Sequence, residues 1–252
     1  MSGIKYDVIA NKKTKLNKGF IMKKQVLGLA VASAMFMSVP AMADDLSSSL
    51  SFTATQFDSK DSDSDDRLET FGARYVHSNK MFAGEGFIHD FALEGTFGSD
   101  DNLDVTQYNG SFDIGHRFEM SPGMYFDLIA GGGYEHMNME YDEADIDTDV
   151  KTPYAQLGAG LTKKINEYNT LRGEVGTYYS LGGSVEAGDN EVDLENEANL
   201  YAELTWANDS TGVPMEFGAY YRQADRELDI EGADDDDQLD LSQIGLRAGI
   251  RF

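Results

Sequence analysis

The sequence predicts an all-β protein: an up-and-down antiparallel transmembrane β-barrel of ten strands, with eight strands as the alternative count. Apolar and polar residues alternate with a period of two from residue 50 onward, as they do in strands that present two different faces. The connectors between the alternating segments are short and long in turn. No apolar run after residue 43 approaches the length of a spanning helix, so a membrane would have to be crossed by strands.

A secretory signal peptide is predicted near the N-terminus. Met22-Lys23-Lys24 gives a basic start, an apolar run follows over residues 26–39, and Ala41-Met42-Ala43 forms a small-x-small cleavage site. These are the three parts of such a signal. We expect cleavage after Ala43, with Ala41 and Ala43 as the small residues of the site. A retained N-terminal anchor is the alternative.

The chain is thus divided into three predicted parts. Residues 1–21 are an N-terminal extension, either an over-extended gene start before Met22 or part of one long signal. Residues 22–43 are the signal peptide, and residues 44–252 are a single barrel domain. Removing the first 43 residues takes away seven lysines and one aspartate, which moves the net charge from -25 to about -31. A charge of that size argues against binding nucleic acid, because phosphates would be repelled.

Ten alternating segments are predicted to be the barrel strands. An even number places both ends of the mature chain on one side of a closed barrel. Aromatic residues near segment ends are predicted to form belts at the two membrane interfaces, namely Phe57, Phe118, Tyr125, Trp206 and Phe252. The ten segments are 48–57, 68–78, 87–98, 105–118, 124–137, 150–163, 169–181, 191–206, 214–224 and 238–252.

The connectors are sorted by length and charge. Short ones are predicted to be periplasmic turns and long ones extracellular loops, as in outer-membrane barrels. The short set is 79–86, 119–123, 163–168 and 207–214. The long set holds about 29 of the chain's 45 acidic residues and consists of 58–66, 99–104, 138–149, 182–197 and 223–240. An irregularity is expected near residue 223, because the acids beyond it would otherwise face lipid.

The basic start, the Ala41-Met42-Ala43 site, the amphipathic hairpins and the terminal Phe252 resemble the small outer-membrane β-barrel proteins of Gram-negative bacteria, which are OmpA-like or porin-like in architecture. Ile250 and Phe252 match the family's assembly signal, although Arg247 stands where a glycine is often found. The resemblance implies a place in the outer membrane, insertion by the outer-membrane assembly machinery, and contact with lipid and lipopolysaccharide. The oligomeric state is left open.

Charged residues on the polar faces are predicted to line the lumen. They are Arg74, Asp90, Glu94, Asp113, Arg117, Asp127, Glu135, Arg172, Glu174, Glu203, Glu216, Arg222, Arg247 and Arg251. One interpretation is an ion-pair network that fills a narrow lumen in a non-enzymatic structural or surface-interaction protein. The alternative from the transport class is a narrow, cation-preferring, porin-like channel. A secreted soluble β-sandwich is the third hypothesis.

No enzyme activity and no cofactor are predicted. By parity the four histidines, His77, His89, His116 and His136, fall on the lipid-facing side, and His136 has no evident serine partner. Two acidic runs are candidates for weak divalent-cation binding but lack the EF-hand spacing. Their residues are Asp61, Asp63, Asp65, Asp234, Asp235, Asp236 and Asp237. A solvated, self-repelling surface is the alternative interpretation of these runs.

Overall fold

The computed structural model describes residues 47–61, 64–100, 103–141, 146–187, 190–210, 212–227 and 238–252. In these ranges the chain forms thirteen strands joined by turns. Within the same part of the chain there is no helix long and apolar enough to span a membrane. In chain order the strands are β1 Ser47–Asp61, β2 Ser64–Ser78, β3 Gly86–Ser99, β4 Leu103–Ser121, β5 Met124–Tyr141, β6 Ile146–Lys164, β7 Asn169–Ser180, β8 Ser184–Ala187, β9 Asn190–Asp193, β10 Ala198–Asn208, β11 Met215–Gln223, β12 Arg226–Glu227 and β13 Gln238–Arg251.

Ten of these strands close into an up-and-down antiparallel barrel. Strands β1 to β7 pair in sequence, β7 continues through β10 and β11 to β13, and β13 returns to β1. The closing seam runs from Ser49 opposite Arg251 to Lys60 opposite Asp240. The ten-strand prediction is confirmed, and the eight-strand alternative is wrong.

The two ends of the barrel differ. Ser48 and Phe252 exchange backbone hydrogen bonds of 3.0 and 2.9 Å, so β1 begins beside the end of β13. We call this the near end. It also carries the connectors at 79–85, 122–123, 165–168 and 209–214. The opposite end, reached by the tip of the β1–β2 hairpin, is called the far end.

Several predicted boundaries at the far end are wrong. Strands β1 and β2 stay paired as far as Asp61 opposite Ser64, and β5 and β6 as far as Tyr141 opposite Ile146. Much of the segments 58–66 and 138–149 is therefore strand, because an antiparallel ladder continues as a two-stranded ribbon wherever both partners remain extended.

A small hairpin also replaces part of a predicted strand. Residues 190–193 form β9, which pairs with β8, while β8 adds to the edge of β6 from Thr148 to Lys151. The barrel strand β10 starts only at Ala198. The irregularity expected near residue 223 is present, because β11 ends at Gln223 and the next pairing begins at Arg226.

Period-two alternation sorts large apolar side chains to the outer wall. Phe52, Leu157 and Leu246 are each more than 60% exposed in the isolated barrel, and this wall is the face that meets lipid in a membrane barrel. Phe118, Trp206 and Phe252 also face outward, but Phe57 and Tyr125 are only 2% and 8% exposed. Their predicted place in the interfacial belts is wrong, because their parity on β1 and β5 directs them into the lumen.

Candidate functional site in the lumen

The tightest ion-pair cluster lies near the 79–85 connector and is centred on Asp127. Arg117 Nε and Nη2 lie 2.7 and 2.8 Å from the two carboxylate oxygens of Asp127. Arg172 Nη1 donates to the same carboxylate and to Thr162 Oγ1 at 2.8 Å. Arg117 and Asp127 are both fully buried. Each charge is satisfied by a partner on another strand, which is the condition under which buried ions are tolerated.

The connector 79–85 turns into the lumen at the near end; we call it the inward turn. Arg117 Nη1 donates to the carbonyl oxygen of Ala83 at 2.8 Å, and Arg117 Nη2 donates to that of Lys80. The guanidinium of Arg251 lies 4.4 Å from the centre of the Phe82 ring. Lys80, Met81 and Ala83 are 6%, 8% and 5% exposed. The turn therefore obstructs the near end of the lumen.

Lys80 is a lumen residue that the sequence reasoning missed. Its Nζ lies 3.0 Å from Asp113 Oδ2 and 3.7 Å from Glu174 Oε2. Burial alone lowers the pKa of the Lys80 ammonium, but the carboxylates of Asp90, Glu174 and Asp113 outweigh it, so the pKa is raised above its ordinary value. The signal in the sequence was Lys80-Met81-Phe82, a run with two large apolar residues where a solvated turn was expected.

We expect Lys80→Met to cost about 1–2 kcal/mol of unfolding free energy, because the carboxylates of Asp113 and Glu174 lose a buried charged donor. Guanidinium unfolding in lipid vesicles measures this. Amide hydrogen exchange in the inward turn should accelerate as well. Lys164→Met, at an exposed position, is the matched control. Equal costs for the two variants would contradict the assigned contacts of Lys80.

A square of alternating charges occupies a second level of the lumen. Arg247 Nη1 lies 2.8 Å from Glu203 Oε2, and Arg247 Nη2 lies 3.6 Å from Glu94 Oε2. Arg74 contacts the same two acids at 3.6 and 3.9 Å. The ring of Tyr220 lies 4.0 Å from the Arg247 guanidinium carbon. Four strands are tied together by this square.

A third level is formed by one ion pair and two tyrosines. Arg222 Nη1 lies 2.7 Å from Glu135 Oε2. Its guanidinium carbon lies 4.6 Å from the centre of the Tyr178 ring and 5.4 Å from that of Tyr154. Cation–π contacts of this kind contribute most when the cation is desolvated. The arginine and the two rings therefore pack together inside the lumen.

Beyond that level the interior of the barrel becomes apolar. A cluster of buried side chains from β1, β2, β4, β5, β6 and β13, joined by residues of the far-end connectors, excludes water there; we call it the far-end core. Its members are Phe57, Leu68, Val105, Met137, Met139, Val150, Leu194, Ala224 and Leu241. This cluster is packed like the core of a globular domain, although it lies inside a barrel.

The remaining predicted lumen residues lie outside these three levels. Glu216 accepts a hydrogen bond of 2.6 Å from Ser51 Oγ, and Arg251 pairs with Asp209 at the near end. Asp90 is 7% exposed and stands in register with Asp113. A cavity of about 170 Å³ extends from the inward turn to Tyr178 and Arg222 of the third level, and the second-level charges are among its lining residues. That volume holds a few water molecules.

Other sequence-predicted sites have the following places. Ile250 and Phe252 lie on the outward side of the closing strand, 48% and 53% exposed. The signal peptide, with Ala41 and Ala43, lies outside the described residues. Of the acidic residues proposed to bind cations, Asp63 and the aspartates 234–237 also lie outside them. Asp61 and Asp65 lie at the tip of the β1–β2 hairpin. Among the residues that are described, no group of three or more histidines, aspartates or glutamates could hold a metal ion.

Residues 29–206 match the family model described as the outer membrane protein beta-barrel domain. The chain belongs to this family. Membership places the protein in the outer membrane and accounts for a closed barrel with an apolar wall. No curated protein sequence matches the chain.

This outer-membrane barrel is also similar to solved structures. Neisserial surface protein A has 10% identity and a TM-score of 0.39, covering 84% of this chain and 98% of its own. The translocator domain of the autotransporter NalP from Neisseria meningitidis has 11% identity and a TM-score of 0.49, covering 94% and 97%. The outer membrane protease OmpT from Escherichia coli has 8% identity and a TM-score of 0.48, covering 86% and 99%. These likenesses carry no inference about activity.

Proposed function

We propose that this outer-membrane barrel is a non-conducting, non-enzymatic protein with a structural or surface-interaction role. The observation that carries the proposal is the series of obstructions along its axis: the inward turn, three levels of paired charges, and the far-end core. An ion that crossed the barrel would have to displace the inward turn and separate the far-end core. Small barrels are commonly filled by their own side chains in this way.

The proposed orientation has the near end in the periplasm and the far end outside the cell. Short turns at the near end and extended hairpins at the far end support it. The segments at the far end carry most of the chain's acidic residues, so the surface offered to the medium would be strongly hydrated. Weak bridging of these acids to lipopolysaccharide by divalent cations, and insertion by the outer-membrane assembly machinery, belong to the same proposal.

The contacts of the histidines support the absence of enzyme activity. Ser48 Oγ lies 2.9 Å from His77 Nδ1, and His136 Nε2 lies 2.9 Å from Asp149 Oδ1. Nucleophilic catalysis needs a nucleophile, a base and a group that orients the base. Each of these two pairs supplies only part of that arrangement, and Ser48 is 4% exposed.

A narrow cation-preferring channel is the second candidate. The cavity of about 170 Å³ favours it, since Asp90, Glu94 and Glu216 are among its lining residues. A pore through this cavity would require the inward turn to leave the lumen and the far-end core to separate. The two candidates differ in what they predict for ion flow.

Planar-bilayer recording of the folded protein should show no discrete conductance steps. Heat-modifiable gel mobility verifies folding, and an open porin inserted under the same conditions is the positive control. Steps that lose cation preference in Glu203→Gln would establish the channel instead.

Labelling of Asn166→Cys with an impermeant maleimide in intact cells tests the orientation separately, because the chain has no cysteine of its own. We expect no labelling, since the proposed orientation places this near-end turn in the periplasm.

A further inference from the structure

A shallow apolar groove of about 570 Å³ lies on the outer wall, across β6, β7, β10 and β11. Large and small outward residues alternate in two adjacent rows of the sheet. In one row Leu161 faces Gly173, followed by Leu204 and Ala219. In the next row the small positions are Ala159 and Ala202, so the depression is continuous along the strands. In the bilayer this groove is open to acyl chains.

An exposed lysine stands at the near end of this groove. Lys163 is the next outward residue after Leu161 on β6, about 7 Å further along the strand, and it is in register with Leu171. Lys163 is exposed. Lys164 has the opposite parity and lies on the lumen side, with Nζ 5.6 Å from the centre of the Tyr125 ring. Glu167, in the following turn, is an acid nearby.

Its exposure on the outer wall sets Lys163 apart from the other cations at this end of the described chain. Lys80, Arg117 and Arg251 are 6%, 0% and 6% exposed and have partners inside the lumen. A protein with a net charge of -25 repels anionic lipid over most of its surface. An exposed lysine at the edge of a lipid-facing groove reverses that preference at one place, because it contributes favourably next to an anionic headgroup.

We propose that the groove and Lys163 bind one anionic glycerophospholipid of the periplasmic leaflet. One acyl chain lies along the groove between Leu161 and Leu204, and the phosphate lies beside Lys163. Trp206 stands on the same wall, in register with Leu171, where an indole ring suits the interface. The choice of leaflet rests on the orientation proposed above.

Native mass spectrometry of the protein released from nanodiscs tests the site. With equal amounts of phosphatidylglycerol and phosphatidylethanolamine, the wild type should retain one phosphatidylglycerol. The variant Lys163→Gln should lower the ratio of retained phosphatidylglycerol to phosphatidylethanolamine about fivefold. Gly173→Leu should abolish retention of both, since its side chain would occupy the groove. A Cβ at Gly173 meets only Leu204 Cδ1, at 4.0 Å, so the first atom of the new side chain has room.

Two matched variants serve as controls. Gly95→Leu adds the same side chain on β3, where a Cβ would lie 3.5 Å from Tyr108 Cδ1. Lys151→Gln removes an exposed charge that pairs with Glu186 at the far end. Both should retain lipid like the wild type.

Three results would overturn the proposal: equal retention of the two lipids by the wild type, unchanged retention in Lys163→Gln, or a dimer that Gly173→Leu dissolves. The last would show that a second copy occupies the groove. Conductance and maleimide labelling report on the proposed function separately. A conducting barrel that still prefers phosphatidylglycerol would refute only the non-conducting role, while labelling of Asn166→Cys would refute the choice of leaflet.

Discussion

Replacing Arg117 with methionine should destabilise the barrel by about 3–5 kcal/mol, the cost of leaving a buried ion without its partner. The substitution removes the bidentate contact with Asp127 and the donors to the carbonyl oxygens of Ala83 and Lys80. Arg172 alone cannot satisfy all of these acceptors, because it lies on β7 and is shared with Glu174. Urea titration of the refolded protein in lipid vesicles measures the loss.

Arg251→Met is the matched control. Arg251 is also buried, but its partner Asp209 is 38% exposed at the near end and can be hydrated when the arginine is lost. Its cost should be about 1 kcal/mol, in the range of surface ion pairs. If the two substitutions cost the same unfolding free energy, the lumen around Asp127 would have to contain water. The proposed obstruction of the near end would then fail.

Gly131→Ala should cost about 2–3 kcal/mol, because its methyl group would overlap the neighbouring strand. A Cβ at this position meets the carbonyl oxygen of Phe112, lies 2.8 Å from Asp113 Cα, and collides with the Asp113 carboxylate. Backbone atoms cannot move aside without opening the β4–β5 ladder. The displaced Asp113 would also lose its contact with Lys80, so hydrogen exchange in the inward turn should accelerate.

Gly95→Ala is the comparison at a position where an added Cβ has room. Its Cβ would meet the Tyr108 ring at 3.5 Å, an ordinary contact. The unfolding free energy of the variant should equal that of the wild type or exceed it by about 0.5–1 kcal/mol, since alanine restricts the unfolded chain more than glycine does. Equal thermal stability of Gly131→Ala and Gly95→Ala would show that the backbone of β4 and β5 can shift at little cost in free energy.

The strands and their faces were predictable because a period of two is a local property of the sequence. Once a strand is assigned, Arg172 and Leu171 must lie on opposite sides, whatever the rest of the chain does. The same parity also pointed Phe57 inward. The prediction instead gave it an interfacial role, because aromatic residues at strand ends are common in membrane belts.

What could not be predicted depends on contacts distant in sequence. The inward turn is held by Arg117, which is 34 residues from Ala83 and 37 from Lys80. Nothing near residue 80 indicates that an arginine on β4 will donate to its backbone carbonyl oxygens. The β8–β9 hairpin is a similar case, since it depends on the edge of β6 that β7 leaves unpaired before Tyr154.

The inward turn also bears on the order of events during biogenesis. The β1–β13 seam is the joint between the first and last strands of the described barrel, so sealing it encloses the lumen. The side-chain partners of Lys80 lie on β4 and β7, which precede the last strand in the chain. We therefore expect Arg117 and these acids to hold the turn before the cylinder is sealed.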